Sequence, residues 1–188
     1  MPADCKEKWY VLRDLRRRSS NTPGYIELRD KGFEVFTPLK WEITVRGGRR
    51  VRRQVPVISD LLFVRSVKDR LDTAVAPIPT LQYRYRRGQT IHDPMTVRDA
   101  DMERFINAVN LSDNVRYYSL DEITPEMYGK EICVVGGPFD GYAGRLLFMR
   151  GSRKKRLLVE IPDFIAAAVE VQPEFIRYIE CGGQSEGC

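Results

Sequence analysis

Residues 134–145 read VVGGPFDGYAGR, and this stretch is the most informative part of the chain. Its glycines permit sharp turns of the backbone, Pro138 stiffens one turn, and Phe139 is placed to fill a small core while its neighbours stay exposed. The stretch does not fit a phosphate-binding loop, because Gly141 is followed by tyrosine instead of Lys-Ser/Thr and the next segment is strand-like. Taken alone, it favours an ordinary turn between two strands of a β-barrel.

Short strand patterns surround this turn, at residues 131–135, 145–149, 157–161, 167–171 and 175–179. Five strands in about fifty residues predict a small all-β domain, an SH3-like barrel, over residues 129–180. Residues 164–170 include three alanines and have some helical character. The β-branched and aromatic bias of the other segments nevertheless favours a stable barrel. The tail, residues 181–188, is too poor in apolar residues to pack, so we expect it to be disordered.

The first half of the chain mixes strand and helix patterns, recognised by β-rich runs, paired glycines, caps and three-four apolar spacing. The predicted elements are a strand at 9–12, a helix at 23–31 ended by Gly32, a strand at 33–36, a hairpin of 41–45 and 51–57 around Gly47 and Gly48, a strand at 61–64, a short helix opening at 68–72, a strand at 81–86 and a helix at 96–111 with Thr96 and Asp99 as caps.

This order predicts an α+β domain over residues 8–111, in which helices flank a mainly antiparallel sheet. Residues 61–64 are uniformly apolar, as in a central strand that is buried on both faces. Residues 112–128 lack a sustained period and contain Pro125 with several acidic side chains, so we expect a linker between two domains.

The charge of the chain is modest but unevenly distributed. Its 31 Lys and Arg exceed its 26 Asp and Glu by a formal charge of +5, and the basic residues occur in runs. Contact with a polyanion is therefore plausible, although charge alone indicates it only weakly. No apolar stretch is long enough to cross a bilayer, and residues 1–8 are polar, so we expect a cytoplasmic protein.

The cysteine and histidine content disfavours metal and nucleophile chemistry. The four cysteines have no C-x-x-C spacing, and we expect reduced thiols at Cys5, Cys133, Cys181 and Cys188. With His92 as the only histidine, neither a zinc site nor a His-based triad is favoured. We predict no catalytic residue, no metal site and no cofactor.

Three motifs in the right order resemble the NusG superfamily, and the resemblance covers about residues 8–180. The glycine-rich stretch is similar to the KOW motif, whose positions here are Gly136, Gly137, Pro138, Phe139, Gly141 and Gly144. The opening strand at residues 9–12 looks like the start of a NusG N-terminal domain, and residues 45–50 are similar to its Arg-Gly-Gly hairpin. Residues 56–64 occupy the place of its Phe-Pro-Gly-Tyr-Val-x-Val strand.

The chain departs from the family pattern in ways that resemble a specialised paralogue. Residues 58–61 read ISDL where the family has Phe-Pro-Gly-Tyr, and the helix after the first strand looks short. The resemblance is to the class that contains RfaH and the UpxY antiterminators of capsular polysaccharide operons. The short, arginine-rich N-terminal domain is more similar to UpxY.

The resemblance implies RNA polymerase as the partner, because in the family an apolar face of the N-terminal domain binds the clamp helices of the β′ subunit. Residues 61 and 63 share one side of their strand, and residues 83 and 85 share one side of theirs. The alternative for each residue is that it only fills the core. The positions that we expect to line or support this face are Val11, Ile58, Leu61, Phe63, Tyr83 and Tyr85.

Basic clusters suggest further contacts. Arg16, Arg17 and Arg18 lie where family members present basic residues to the non-template DNA strand, and a solvated charge run is an equally good interpretation. For Arg49, Arg50, Arg52 and Arg53 we favour a solvated hairpin tip. The cluster of Arg150 and residues 153–156 is a weaker candidate for binding nascent RNA or a ribosomal protein.

The leading hypothesis is an operon-specific antiterminator, a monomer whose KOW domain recruits a factor such as NusE or Rho or simply tethers the protein. The main alternative is a KOW-type RNA- or ribosome-binding protein without polymerase contact. An enzyme that uses a carboxylate such as Asp60 or Asp93 has little support, because no second carboxylate or cofactor loop is placed beside either residue.

Overall fold

The computed structural model describes residues 6–16, 22–86, 93–149 and 151–179. The chain divides into two compact units, residues 1–99 and 100–188. Five residues named above, Cys5, Arg17, Arg18, His92 and Arg150, lie outside the described residues, as does the predicted disordered tail with Cys181 and Cys188.

Among its described residues the first unit has nine elements, which follow the predicted order except that the ninth, a short strand, lies where the start of the last helix was expected. They are β1 (Lys8–Asp14), α1 (Gly24–Asp30), β2 (Glu34–Phe36), β3 (Leu39–Arg46), β4 (Arg49–Pro56), β5 (Leu62–Ser66), α2 (Lys68–Val75), β6 (Leu81–Tyr83) and β7 (Thr96–Val97). The main sheet has the order β2-β5-β1-β6, and β7 also pairs with β1. Every pair is antiparallel, so the predicted α+β class with a mainly antiparallel sheet is confirmed for this unit.

Strands β1 and β5 are buried on both faces along their apolar runs, residues 9–12 and 62–64. Val11 and Phe63 are paired partners, and neither is accessible to solvent. On the opposite face, Leu12 packs with Leu28 of α1 and Leu71 of α2 in one apolar cluster. Burying a leucine side chain completely stabilises the fold by about 2 kcal/mol, so these contacts hold the two short helices on the sheet.

The ends of α1 show how local sequence sets its limits. Pro23 precedes the helix in an extended conformation, and the backbone N–H of Gly24 donates a hydrogen bond to Asp14 Oδ2 at 2.7 Å. Gly32 has a φ of 77°, and the N–H of Phe33 donates to the carbonyl of Leu28 at 3.0 Å. The predicted left-handed glycine at the end of the helix is therefore confirmed.

Strands β3 and β4 form a separate two-stranded sheet, a hairpin with continuous pairing from Leu39 with Pro56 to Arg46 with Arg49. Gly47 and Gly48 have φ values of 56° and 75°, the two positive angles that a type I′ turn requires. Val55 is buried at the base of the hairpin, whereas residues 47–50 at the turn are exposed. The predicted glycine hairpin is confirmed.

Among its described residues the second unit has one α-helix and a six-stranded antiparallel sheet with the order β13-β9-β10-β11-β12-β8. Its elements are α3 (Asp99–Leu111), β8 (Arg116–Tyr118), β9 (Tyr128–Val134), β10 (Ala143–Leu147), β11 (Arg156–Ile161), β12 (Ile165–Glu170) and β13 (Ile176–Tyr178). All five strands predicted for this half are present. Among the described residues no pairing joins β13 to β8, so closure of the predicted barrel is not shown.

Two features of the element pattern differ from the sequence-based expectations. Thr96 is in β7 and therefore does not cap α3. Residues 112–128, expected to be a linker, contain β8 and two short 3-10 turns. Strand β8 forms there because it pairs with β12 and because Tyr118 packs against the apolar cluster of Leu147, Leu158 and two alanines. These contacts are far away in sequence, so a local pattern does not reveal them.

The alanine-rich segment forms strand β12 rather than a helix. Its three alanines, residues 166–168, are completely buried and pair with β11 on one side and β8 on the other. Ladder pairing on both sides outweighs the helical preference of alanine, which is small for so short a run.

Cys133 is disulfide-bonded, so the expectation of a reduced thiol is wrong for this residue. The other three cysteines lie outside the described residues. Within the described part of the chain, no helix combines the length and apolar character needed to cross a membrane.

Candidate interaction surfaces

The six residues predicted to bind polymerase do not form one surface. Val11, Leu61 and Phe63 are at most 3% exposed. Tyr83 pairs with Leu12, so it lies on the opposite face of the sheet from the paired residues Val11 and Phe63. The alternative that these three apolar residues fill the core therefore describes them better. Of the remaining predicted residues, Ile58 is half-buried in the turn before β5.

Tyr83 and Tyr85 remain as an accessible aromatic pair. Their ring centroids are 6.4 Å apart in an edge-on arrangement, and Tyr85 is 45% exposed. Both line an open cleft of about 670 Å³ in the first unit. The other residues that line this cleft are Arg13, Val75, Leu81, Gln82, Arg84 and Met95.

Backbone hydrogen bonds hold this aromatic pair in place. The N–H of Arg84 donates to the carbonyl of Val11 at 2.9 Å, and the N–H of Met95 donates to the carbonyl of Arg84 at 2.7 Å. The N–H of Val11 in turn donates to the carbonyl of Met95 at 3.0 Å. The segment that carries both tyrosines is therefore tied to the central strand of the sheet, which limits its motion.

A charged network lies beside the buried edge of the tyrosine pair. The Tyr83 hydroxyl donates to Asp72 Oδ1 at 2.7 Å, and Lys68 Nζ donates to Asp72 Oδ2 at 2.6 Å. Burial and the hydrogen bond to Asp72 raise the pKa of Tyr83. Burial acts to raise the pKa of Asp72, but the hydrogen bonds from Lys68 and Tyr83 outweigh it and lower this pKa. At neutral pH the Tyr83 side chain is therefore uncharged, and its hydroxyl donates to an Asp72 carboxylate that is ion-paired with Lys68.

Asp60 joins two arginines on the other face of the sheet. Its Oδ2 accepts a hydrogen bond from Arg84 Nη2 at 3.0 Å and lies 3.5 Å from Arg13 Nε. Burial lowers the pKa of Arg84, and the Asp60 carboxylate opposes this effect. The carboxylate considered for acid-base chemistry is thus engaged in ion pairs. Among the described residues, no group of three or more His, Cys, Asp or Glu is placed to hold a metal ion.

Arg16, one of the residues predicted to contact nucleic acid, is engaged by partners within the fold. Its side chain is 15% exposed and pairs with Glu27 Oε2 at 2.6 Å. It also donates to Thr80 Oγ1 at 3.0 Å and to the carbonyl of Thr22 at 2.6 Å. The hydrogen bond from Arg16 lowers the pKa of Glu27. These partners lie on separate elements, so the guanidinium group ties β1 to α1 and to the start of β6.

The glycine-rich stretch forms the connection between β9 and β10, as predicted. Gly136, Gly137 and Gly141 all have positive φ angles, and Phe139 is 5% exposed. A Cβ atom on Gly137 would lie 2.6 Å from the ring of Phe175, so only glycine fits there. The remaining glycine of the motif, Gly144, is in β10, where a Cβ would contact Leu157 and the carbonyl of Leu158 at 3.2 Å. Pro138 is exposed within the turn.

The second unit exposes a mixed apolar and basic patch. Phe148 and Tyr178 are 66% and 53% exposed and line a cavity of about 500 Å³. Three basic residues of the β10–β11 loop, Arg153 to Lys155, also line it. Arg156, predicted as part of the same basic cluster, is instead buried at the start of β11, where its Nη1 contacts Met149 Sδ at 2.8 Å.

Sequence reasoning missed the network around Asp72. The spacing of Lys68 and Asp72, four residues apart on α2, was a signal for an ion pair on one helix face. No local signal indicated that Tyr83 contacts this ion pair, because only the packing of α2 on the sheet brings the tyrosine beside it.

The fold, an antiparallel sheet with short helices and a separate two-stranded hairpin, followed by a mainly β unit with a glycine-rich turn, is compatible with a class of transcription factors. The model of the NusG family, described as "Transcription termination factor nusG", matches residues 7–106. The match covers more than half of the chain, which therefore belongs to the NusG family, whose members are non-enzymatic transcription factors that bind RNA polymerase.

The chain is similar to the solved structure "Domain interaction in Thermotoga maritima NusG" at 17% sequence identity and a TM-score of 0.48, with 93% of this chain and 98% of that chain covered. No curated protein sequence matches the chain significantly.

Proposed function

We propose that this protein is a specialised NusG-type antitermination and elongation factor. It binds the β′ clamp helices of RNA polymerase through its N-terminal domain and promotes processive transcription of capsular or other surface polysaccharide operons. The observation that carries the proposal is the exposed tyrosine cleft, which lies in the part of the chain matched by the family.

The cleft has the chemistry of a protein-binding hot spot. Tyr85 offers a large ring that loses little conformational freedom on binding, and aromatic residues of this kind dominate interface energies. The nearby charges of Lys68 and Asp72 are paired with each other. A partner that covers this cleft would therefore not bury either charge without its counter-ion. A helix pair that buries Tyr85 would gain apolar area at low electrostatic cost.

The sequence of the turn before β5 supports a specialised rather than a general factor. Asp60 stands at a position where the family motif has glycine, and here it pairs with Arg13 and Arg84. This ion-pair cluster rigidifies the edge of the cleft in a way that a glycine would not. The UpxY-like assignment rests on this departure and on the motif pattern.

For the second unit we propose a KOW domain that recruits NusE or Rho, or that tethers the protein near its site of action. Its support is the glycine-rich turn around buried Phe139 and the exposed pair Phe148 and Tyr178. Residues 8–111 and 129–180 remain the proposed domain limits. The end of the family match at residue 106 favours placing most of α3 with the N-terminal domain.

Capture of purified core RNA polymerase by the full-length protein tests the polymerase contact. Tyr85→Asp should reduce capture by at least about tenfold, because truncating a central aromatic anchor typically costs about 2 kcal/mol or more. Tyr178→Asp makes the same change at an exposed tyrosine of the second unit and should leave capture within about twofold. Circular dichroism checks that both variants are folded.

A different outcome favours the second candidate, a KOW-type RNA- or ribosome-binding protein. If core polymerase is not captured while ribosomes or free RNA are, and Tyr178→Asp or Lys155→Ser weakens that binding, then the apolar and basic patch of the second unit is the functional surface. The exposed lysines and the arginine around Phe148 are the specific observation behind this alternative.

A further inference from the structure

The positive charge of the chain is concentrated in the β3–β4 hairpin. Residues 39–56 contain six of the 31 Lys and Arg and one of the 26 Asp and Glu. The rest of the chain therefore has 25 basic and 25 acidic residues and no formal net charge. A hairpin that carries the whole excess of +5 is an electrostatic feature of its own.

The register of the hairpin sorts its residues into two different faces. Because successive residues alternate, Trp41, Ile43 and Val45 lie on one face, across from Gln54, Arg52 and Arg50. We call this set of six residues the tryptophan face. The other face carries Lys40, Glu42 and Thr44 across from Val55, Arg53 and Val51. The type I′ turn of Gly47 and Gly48 holds this register.

The tryptophan face is both apolar and basic, and it is open to solvent. Trp41, Ile43 and Val45 are 56%, 68% and 69% exposed. The guanidinium of Arg52 lies over the Trp41 ring at 4.2 Å from its centroid, and Arg50 is exposed. On the other face Arg53 is instead paired with Glu42 at 3.4 Å.

Exposed arginines at a hairpin tip fit the solubility role predicted for them, but that role does not account for the exposed apolar residues on the same face. Charges that only keep an edge soluble do not require three large apolar side chains to be exposed beside them. A row of apolar residues lined by arginines is instead suited to a polyanion with apolar surfaces between its charges. Guanidinium groups pair with phosphates in a bidentate manner, and apolar side chains contact bases and sugars.

We propose that the tryptophan face of the β3–β4 hairpin binds duplex DNA. The major groove of B-form DNA admits a two-stranded β-ribbon, and ribbons of this kind are an established means of reading DNA. The major groove of duplex RNA is too deep and narrow for one. Single strands are bound by rows of aromatic residues, whereas this face has one aromatic ring, already stacked under Arg52. This contact is separate from the tyrosine cleft and extends beyond the proposed polymerase contact.

Fluorescence anisotropy of a labelled mixed-sequence DNA duplex of about 20 base pairs, titrated with the full-length protein from about 50 to about 200 mM salt, tests this proposal. The double variant Arg50→Ser, Arg52→Ser should weaken binding by about tenfold or more and reduce the slope of log affinity against log salt by about 2. Trp41→Ser should weaken binding several-fold with an unchanged salt slope, because it removes apolar contact but no charge.

The matched control is Lys40→Ser with Arg49→Ser, which removes the same charge from exposed positions on the opposite face of the same hairpin. This control variant should lose at most about threefold in affinity. A small loss is expected because charges on the opposite face still attract nearby phosphates over a distance of about one Debye length. An equal loss in both double variants would show that only total charge matters and would overturn the assignment to the tryptophan face. Tighter binding of single-stranded DNA or duplex RNA, or no binding at low salt, would overturn duplex DNA as the ligand. Polymerase capture of each variant is measured separately.

Discussion

The central strands of the first unit and the β3–β4 hairpin use the same residue types in opposite environments. Val11 and Phe63 in the sheet are inaccessible to solvent, whereas Ile43 and Val45 in the hairpin are more than 65% exposed. Arginines show the same contrast: Arg16 beside the sheet is held by Glu27, Thr80 and Thr22, while Arg50 extends from the hairpin into solvent. A strand pattern alone therefore does not distinguish a core strand from a strand that offers its side chains to a partner.

The largest expected effect is the loss of stability when a carboxylate replaces a buried residue of the sheet. Phe63→Asp should destabilise the protein by about 4 kcal/mol or more, because it removes a buried ring and buries an unpaired charge. Ile43→Asp makes a comparable change in the hairpin and should cost less than about 1 kcal/mol. Chemical denaturation monitored by circular dichroism measures both. Similar unfolding midpoints for the two variants would refute the contrast between the two regions.

A smaller loss of stability is expected when an arginine is replaced by methionine. Arg16→Met should cost about 2 kcal/mol, since it leaves Glu27 and the Thr80 hydroxyl without the donor that they share, whereas Arg50→Met should change stability by less than about 0.5 kcal/mol. Urea denaturation at neutral pH compares the two variants with the parent protein. If Arg50→Met is as costly as Arg16→Met, the hairpin arginine has a structural role that the exposed position does not explain.

The pH dependence of the Arg16 effect has a definite sign. The pKa of Glu27 is lowered in the folded protein from its usual value of 4.5, so its ion pair stabilises the fold at neutral pH. This contribution is present above the unfolded-state pKa and is lost as the pH falls through the lower, folded-state pKa. The stability difference between the parent protein and Arg16→Met should therefore narrow in acid. A difference that stays constant below pH 4 would mean that the Glu27 charge does not contribute.

The smallest effect is expected at the turn that sets the hairpin register. Gly47→Val places a β-branched residue at a φ of 56° and should cost about 1 kcal/mol, with faster amide hydrogen exchange in β3 and β4. Gly47→Asn should be within about 0.5 kcal/mol of the parent protein, because asparagine tolerates a left-handed backbone in this turn type. Equal exchange rates in both variants would show that pairing along the strands, and not the turn, holds the hairpin.

The six residues predicted to bind polymerase show where sequence reasoning succeeds and where it stops. The side-sharing of Tyr83 and Tyr85 followed from strand alternation, and their rings do lie side by side. Placing Val11 and Phe63 on the same surface as these tyrosines required the register between β1, β5 and β6. That register depends on pairing between segments that are roughly fifty to seventy residues apart in sequence, so alternation within each strand did not supply it.

The sequence by itself determined the elements whose causes are local. The glycine turns, the left-handed end of α1, the apolar strand at residues 62–64 and the five strands of the second half follow from residues within a few positions of one another. Tertiary structure alone decided which side chains are available. It buried Phe63, engaged Arg16 with Glu27, brought Tyr83 to Asp72 and left Trp41 exposed, because burial depends on which distant segments pack together and cannot be read from a local pattern.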